Sequence, residues 1–350
     1  MNWFEHLTGF RETDYATTRS QLEVNGDQLR SRVNGKCYGI GSLELVSLGE
    51  LRQRVSSHAH QPAQLQVRVV EGDVRGLHQN TEYAGALFQV ASQFNLLEMV
   101  GPDITPEHGV TRYAYDPTQG PACAIAAGAA TIYRNYFAPV GPTPSTQGQT
   151  QKHQLDGLAD LGAALGQSLG QPVKNFWKMR NGYALCRQEG LEAISAHLAL
   201  ATPDALDALR CHLRIGLHSD IEVTDEKYHS SPPSLPRPLV SQAFCSALPV
   251  AYNSRVPLKA WTALACLVLQ AAYEATLWAG VLNQQRGKSN IVLLTSLGGG
   301  AFGNADEWIH AAMRRALEQV VGYDLDVRLV SYGEPSSELK QIVQAFQSTT

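Results

Sequence analysis

The sequence predicts an α/β fold, a mixed and mostly parallel sheet between helices, and three observations predict it. The run 290–296 (NIVLLTS) is apolar and of strand length, and it leads straight into the glycine-rich LGGGAFGN. A helical pattern follows over about 305–320, and 326–331 (DVRLVS) reads as one more strand. Just upstream, 239–252 (LVSQAFCSALPVAY) reads as a buried strand running into a loop before a long apolar helix over 261–282. Strand, helix, strand, turn, helix, strand requires crossover connections, and crossovers place helices on both faces of a parallel sheet.

The elements before these are less regular. The stretch 38–51 alternates weakly and then turns helical, with Ser47 in position to cap LGELRQRV. A strand is expected at 64–70 (QLQVRVV), ending in Glu71-Gly72-Asp73-Val74. The apolar run 85–99 is broken by Gln89, Ser92, Gln93 and Asn95. The glycine- and alanine-rich 120–137 reads as a tight loop entering a close-packed helix. Residues 138–153 carry proline, glycine and polar side chains, as a surface loop does. Leu155, Leu158, Leu161 and Leu165 give 154–169 helical spacing. Thr202-Pro203 opens a helix, 211–217 (CHLRIGL) alternates as a strand, and 230–238 (SSPPSLPRP) reads as a loop or flap. Three parts are expected: an extension at 1–62 (a layer on the core or a separate recognition region), a catalytic domain at 63–335, and a tail at 336–350.

Composition narrows the function classes. The chain has 350 residues, 44% of them hydrophobic and only 17% charged, enough apolar material for a large core. A net charge of −4 with no lysine/arginine block gives no electrostatic footprint for nucleic acid. A small anion can still be held by backbone amides. The cysteines Cys37, Cys123, Cys186, Cys211, Cys245 and Cys266 are scattered, with no C-x-x-C pair, and several sit in apolar runs as small hydrophobes. A reducing cytoplasm, no metal site and no membrane span are expected. No H-E-x-x-H occurs.

Gly298, Gly299, Gly300 and Gly303 stand between a buried strand and a helix, at the edge of an α/β sheet where ligands bind. Successive amides there, with the next helix's N-terminus, suit a diphosphate. A plain tight turn is the other reading. The best acidic cluster is 218–225 (HSDIEVTD): on a continuing strand Asp220 and Glu222 would share one face about 7 Å apart. They would hold a guanidinium and a water with help from Asp225, or else form a solvated strand end. Glu98 either caps backbone amides or faces a sugar. Asp306 reads as a first-turn acid of its helix. Cys123 and Cys245 read as inert thiols.

The segment NIVLLTSLGGGAFGNADEWIHAAMRRAL resembles the second phosphate loop of macrodomains, and VRVVEGDVRGL is similar to that family's early strand. GPACAIAAGAATIY resembles its first phosphate loop, led by Gly120. FQVASQFNLLEM sits where the family carries an Asn-Ala-Ala-Asn loop, and differs from it. QFNLLE, GPACAIAAG and SLGGGAFGN together resemble a divergent macrodomain group typified by MavL, which removes ADP-ribose from arginine. The resemblance implies ADP-ribose as ligand with no cofactor required. It implies an adenine-side contact at Gly72, Asp73 and Val74, ribose contacts at Gln93, Asn95 and Phe302, and phosphate contacts at Gly120, Ser296, Gly298, Gly299, Gly300, Ala301, Gly303 and Asn304. It further implies hydrolysis of arginine-linked ADP-ribose on a protein partner, ubiquitin included. A non-catalytic ADP-ribose reader is the alternative.

Overall fold

The computed structural model describes residues 1–57, 62–141, 147–225 and 236–347. In chain order it contains α1 (Trp3–Thr8), α2 (Tyr15–Ser20), β1 (Leu22–Asn25), β2 (Gln28–Ser31), β3 (Cys37–Gly39), β4 (Ser42–Ser47), α3 (Leu48–Ser56) and β5 (Gln66–Glu71). Next come α4 (Val74–Gln79), β6 (Leu87–Ala91), α5 (Gln119–Ala126), α6 (Gly128–Tyr136), α7 (Ala159–Leu169), β7 (Trp177–Arg180), β8 (Tyr183–Cys186), α8 (Gln188–Leu200) and α9 (Pro203–Cys211). The last part holds β9 (Arg214–Glu222), β10 (Leu239–Cys245), α10 (Leu258–Gln285), β11 (Ile291–Leu294), α11 (Asp306–Glu318), β12 (Asp326–Ser331) and α12 (Ser337–Gln347).

The central sheet has seven strands in the order β4-β9-β10-β6-β11-β12-β5. β10, β6, β11, β12 and β5 run parallel, whereas β9 is antiparallel to both its neighbours. The expected mixed, mostly parallel sheet between helices is therefore the observed architecture. Period-2 alternation assigns the faces. Val240, Phe244, Phe88 and Val90 pack with Cys123 and Ala127 of the α5–α6 side. Ala243, Cys245 and Leu87 pack against the opposite layer, built around α10. Among the described residues α10 is the helix long and apolar enough to cross a membrane, and 83% of its most apolar stretch is buried within the fold. It is apolar nearly all round because the sheet and α3, α8, α9 and α11 enclose it.

Local signals explain several boundaries. Ser47 accepts from the Glu50 amide while Glu50 accepts from the Ser47 amide, a capping box that starts α3. Thr202 caps α9, with Pro203 in its first turn. The 120–137 segment is two short helices broken at Ala127, not one. In 154–169 only residues from Ala159 onward are helical. Part of 138–153 and part of 230–238 lie outside the described residues. The stretch expected as a tail instead forms α12, because Leu339 and Ile342 are spaced one turn apart and bury against the core. Within 1–62, β4 is an edge strand of the main sheet, and β1–β3 form a separate antiparallel sheet. Phe4, Leu7, Leu22, Leu29 and Tyr38 share a core with Leu97, Met99, Ile125 and Ile132.

Candidate active site

The parallel strands set the geometry. Ala91, Cys245 and Leu294 end β6, β10 and β11 at one edge of the sheet, and the chain after each forms the walls of a cavity of about 370 Å³. That volume lies within the roughly 300–1,000 Å³ usual for a small-molecule site.

One wall is the turn after β11. Leu297 bonds through its amide to Tyr273 Oη (2.9 Å), and Gly299, Gly303 and Asn304 donate to Ser296, Gly300 and Gly298 carbonyls at 3.2, 3.0 and 2.9 Å. Asn304 Nδ2 also donates to the Leu248 carbonyl at 2.9 Å. Gly298 sits at φ +77°, and a Cβ there would lie 2.4 Å from that of Ala247, so only glycine fits. Bonding these groups leaves the amides of Ser296, Gly298, Gly300, Ala301 and Phe302 with no acceptor among the described residues. All five residues line the cavity. Gly299, Gly303 and Asn304, expected as ligand contacts, instead hold the turn shut upon itself.

The facing wall is the start of α5. The Thr118 amide donates to Asp116 (2.9 Å). Gln119 bonds the end of β6 through the Ala91 amide and the Gln89 carbonyl at 2.7 and 3.0 Å. A Cβ on Gly120 would lie 2.1 Å from the Ala91 carbonyl oxygen, so glycine permits the helix to start this close to the strand. Asp116, Thr118, Gln119 and Gly120 line the cavity.

The floor is the loop after β6. Gln93 Oε1 accepts from the Met99 amide (2.8 Å). Asn95 is fully buried: its Oδ1 accepts from the Leu97 amide (3.1 Å) and its Nδ2 donates to Gln154 (2.8 Å). Gln93 lines the cavity, but Asn95, expected as a ribose contact, faces into the protein and braces the loop. Leu96 takes φ +64°, a conformation costing a branched side chain about 1 kcal/mol or more. This reversal delivers Glu98 to the cavity wall.

Glu98 is 2% exposed and Arg134 is fully buried beside it. Arg134 Nη2 donates to both carboxylate oxygens at 3.2 and 3.3 Å, and Nε donates to the Leu96 carbonyl at 3.1 Å. Its guanidinium stacks 3.9 Å above the Phe244 ring, and Nη1 has no hydrogen-bond partner among the described residues. Burial raises the Glu98 carboxyl from its ordinary 4.5 to about 7, outweighing the opposing pull of Arg134 and of Tyr113. Glu98 therefore exchanges a proton near neutral pH.

An aromatic cluster completes the mouth. Tyr183, Tyr252 and Phe302 have ring centroids 5.2–5.7 Å apart, and all three line the cavity. Tyr183 Oη donates to the Met99 carbonyl (2.6 Å), tying the β7–β8 hairpin to the Glu98 loop.

Three expected carboxylates are elsewhere. Because β9 runs antiparallel, Ser219 pairs with Ser42 and Glu222 with Leu239, the first residues of β4 and β10. Asp220 and Glu222 thus lie at the amino edge, about 20 Å of strand away from the cavity. Asp220 pairs with Lys288 (3.0 Å) and Arg286 (3.4 Å), while Glu222 binds the Gly39 amide (2.7 Å) and Arg237 (3.1 Å). Asp225 is clamped by Arg75 and Gln79. All three hold structure together. Gly72, Asp73 and Val74 follow the outermost strand, β5, without lining the cavity: Asp73 caps α4 through the Arg75 amide (3.0 Å), and Val74 is buried. Asp306 sits in the first turn of α11. Burial raises the Cys245 thiol to about 12 and Cys123 well above its ordinary range. Among the described residues, no cluster of three or more His, Cys, Asp or Glu comes together to hold a metal.

No family model and no curated protein matches the chain. Among solved structures, the chain is similar to the poly(ADP-ribose) glycohydrolase of Deinococcus radiodurans in complex with ADP-ribose. There the TM-score is 0.46 and the identity 12%, covering 97% of this chain and 99% of that one. It is also similar to the poly(ADP-ribose) glycohydrolase of Thermomonospora curvata, with TM-score 0.43 and 12% identity, covering 96% and 98%.

Proposed function

We propose that this chain is an ADP-ribosyl hydrolase that releases mono-ADP-ribose from arginine side chains of proteins. One observation carries the reading: a buried carboxyl that titrates near pH 7, Glu98, opens into the same cavity as the unbonded amides of the 296–302 turn. Those amides, with the start of α5 opposite, suit a diphosphate. Phe302 and Tyr252 offer faces for the distal ribose, whose anomeric carbon then lies toward Gln93, Glu98 and Asp116. The macrodomain-like order of the loops along the chain supports the same ligand. Arginine as the acceptor, and ubiquitin as one carrier protein, rest on the resemblance of QFNLLE, GPACAIAAG and SLGGGAFGN.

The reaction adds water across the C1″–N bond. As that bond breaks, positive charge builds on C1″, and a carboxylate at the wall offsets it. Water attacks C1″ and gives a proton to Glu98, which passes it to the departing guanidine, so that arginine leaves as guanidinium and the carboxylate is restored. ADP-ribose and unmodified arginine result.

Release of ADP-ribose from an arginine-modified protein tests the reading. Glu98→Gln and Asp116→Asn are expected to lower the rate about 100-fold or more while free ADP-ribose still binds. Asp220→Ala, at the opposite edge, is expected to leave the rate within about twofold. Binding without release by the unmutated chain would make it a reader, and loss of release on Asp220→Ala would return catalysis to the β9 end.

A further inference from the structure

Behind Glu98 lies a second, smaller cavity of about 120 Å³. It shares Glu98, Met99, Val100 and Asp116 with the first, so the two meet at the carboxyl pair. Its own walls are Ile104, Gly109, Arg112, Tyr113 and Tyr115. Glu12 fixes the far wall, accepting from the Val110 and Thr111 amides at 2.9 and 2.7 Å and from Tyr136 Oη at 2.8 Å. The mouth is apolar and open: Val100 is 60% exposed and Tyr115 83%.

We propose that this second cavity is the leaving-group subsite, and that it admits one protein side chain ending in a cation but not a further nucleotide. The proposal rests on the ADP-ribosyl hydrolase reading above. Four considerations argue for it. A group bonded to C1″ between Glu98 and Asp116 must extend away from the diphosphate wall, and the cavity beyond the carboxyl pair is the space that receives it. Its volume is well under the roughly 300 Å³ that a nucleotide-sized ligand fills. Two carboxyl groups stand at its inner end, where a guanidinium carries its charge, with the phenol of Tyr113 and the flank of Ile104 beside the alkyl stem. Arg112 is exposed and lies toward solvent, beside the polypeptide that carries the modified residue.

The test uses the full chain with two substrates, a peptide mono-ADP-ribosylated on arginine and a poly(ADP-ribose) chain, alongside titration with free ADP-ribose. Ile104→Trp, which fills the cavity, is expected to raise KM for the peptide about tenfold or more while ADP-ribose affinity stays within about twofold. Tyr115→Ala, at a largely exposed position, is expected to raise KM by about threefold without loss of fold. The unmutated chain is expected to release ADP-ribose from the peptide and leave the polymer uncut. Equal cleavage of the polymer, or unchanged peptide KM in both variants, overturns the subsite. If the unmutated chain fails to bind ADP-ribose at all, it is the hydrolase reading that falls, and the subsite with it.

Discussion

At the scale of the residue, the account turns on Glu98 and Arg134. Neither is exposed, and each is justified by the other: an isolated buried charge costs far more than the pair. Burial still dominates the titration of Glu98, and this fixes the sign of a pH effect. In the unfolded chain the carboxyl ionises near 4.5, whereas in the folded protein it keeps its proton up to about 7. The folded state therefore binds more protons between these values. The contribution of Glu98 to stability is fully present below pH 4.5 and is lost as pH rises through 7. Urea unfolding of the parent and of Glu98→Gln across pH 4.5–7.5 checks this. The stability of the parent relative to the variant is expected to fall with rising pH, by up to about 3 kcal/mol. A difference that stays level, or grows, would mean that Arg134 rather than burial controls the group.

At the scale of the element, the site is made by three chain segments leaving three parallel strands, and each is folded by its own internal bonds. The 296–304 turn shows the division of labour: the amides of Gly299, Gly303 and Asn304 close the turn, that of Leu297 ties it to Tyr273, and the other five belong to residues that line the cavity. Gly298→Ala, which drives a Cβ into Ala247 at positive φ, is expected to weaken ADP-ribose binding about tenfold and to destabilise by about 1–3 kcal/mol. Gly300→Ala, where a Cβ meets nothing within 4 Å, is expected to leave stability within about 0.5 kcal/mol. Calorimetric titration and thermal unfolding of the pair check both. This strand–glycine–helix unit was legible in the sequence because all of its determinants are local: an apolar run, glycines at the reversal, a helical pattern after it. The capping box at Ser47 and the start of α9 were legible for the same reason. The β9 carboxylates misled because the direction of a strand is decided by its partners. The same alternating residues would have faced the cavity had β9 run parallel to β10. Asp116 went unnoticed because only the tertiary packing of α5 on β6 brings its loop to Glu98. Asn95 is a polar residue in an apolar run, and nothing local says whether such a side chain serves a ligand or, as here, its own loop. The β7–β8 hairpin, which supplies Tyr183, carries a strong local signal that went unread: Asn181-Gly182, at φ +48° and +78°, is the two-residue loop joining the strands.

At the scale of the whole molecule, the two edges of the sheet do different work. The carboxyl edge gathers unbonded amides, aromatic faces and two carboxyl groups. The amino edge is closed by ion pairs, with Asp220 held to Lys288 and Arg286 and Glu222 held to Arg237. On the α10 side, Glu274 is fully buried between Arg52 and Arg315 at 2.5 Å each, a network that locks α3, α10 and α11 around the sheet. The N-terminal residues reach the site from outside, since Glu12 pins the wall of the smaller cavity. The central claim is that the carboxyl-edge cavity is an ADP-ribose site whose diphosphate is held by backbone amides. Calorimetric titration of the full chain with ADP-ribose tests it most directly. Saturable one-to-one binding that survives Asp220→Ala and weakens in Gly298→Ala is the predicted result; absence of binding, or binding that Gly298→Ala leaves untouched, contradicts it.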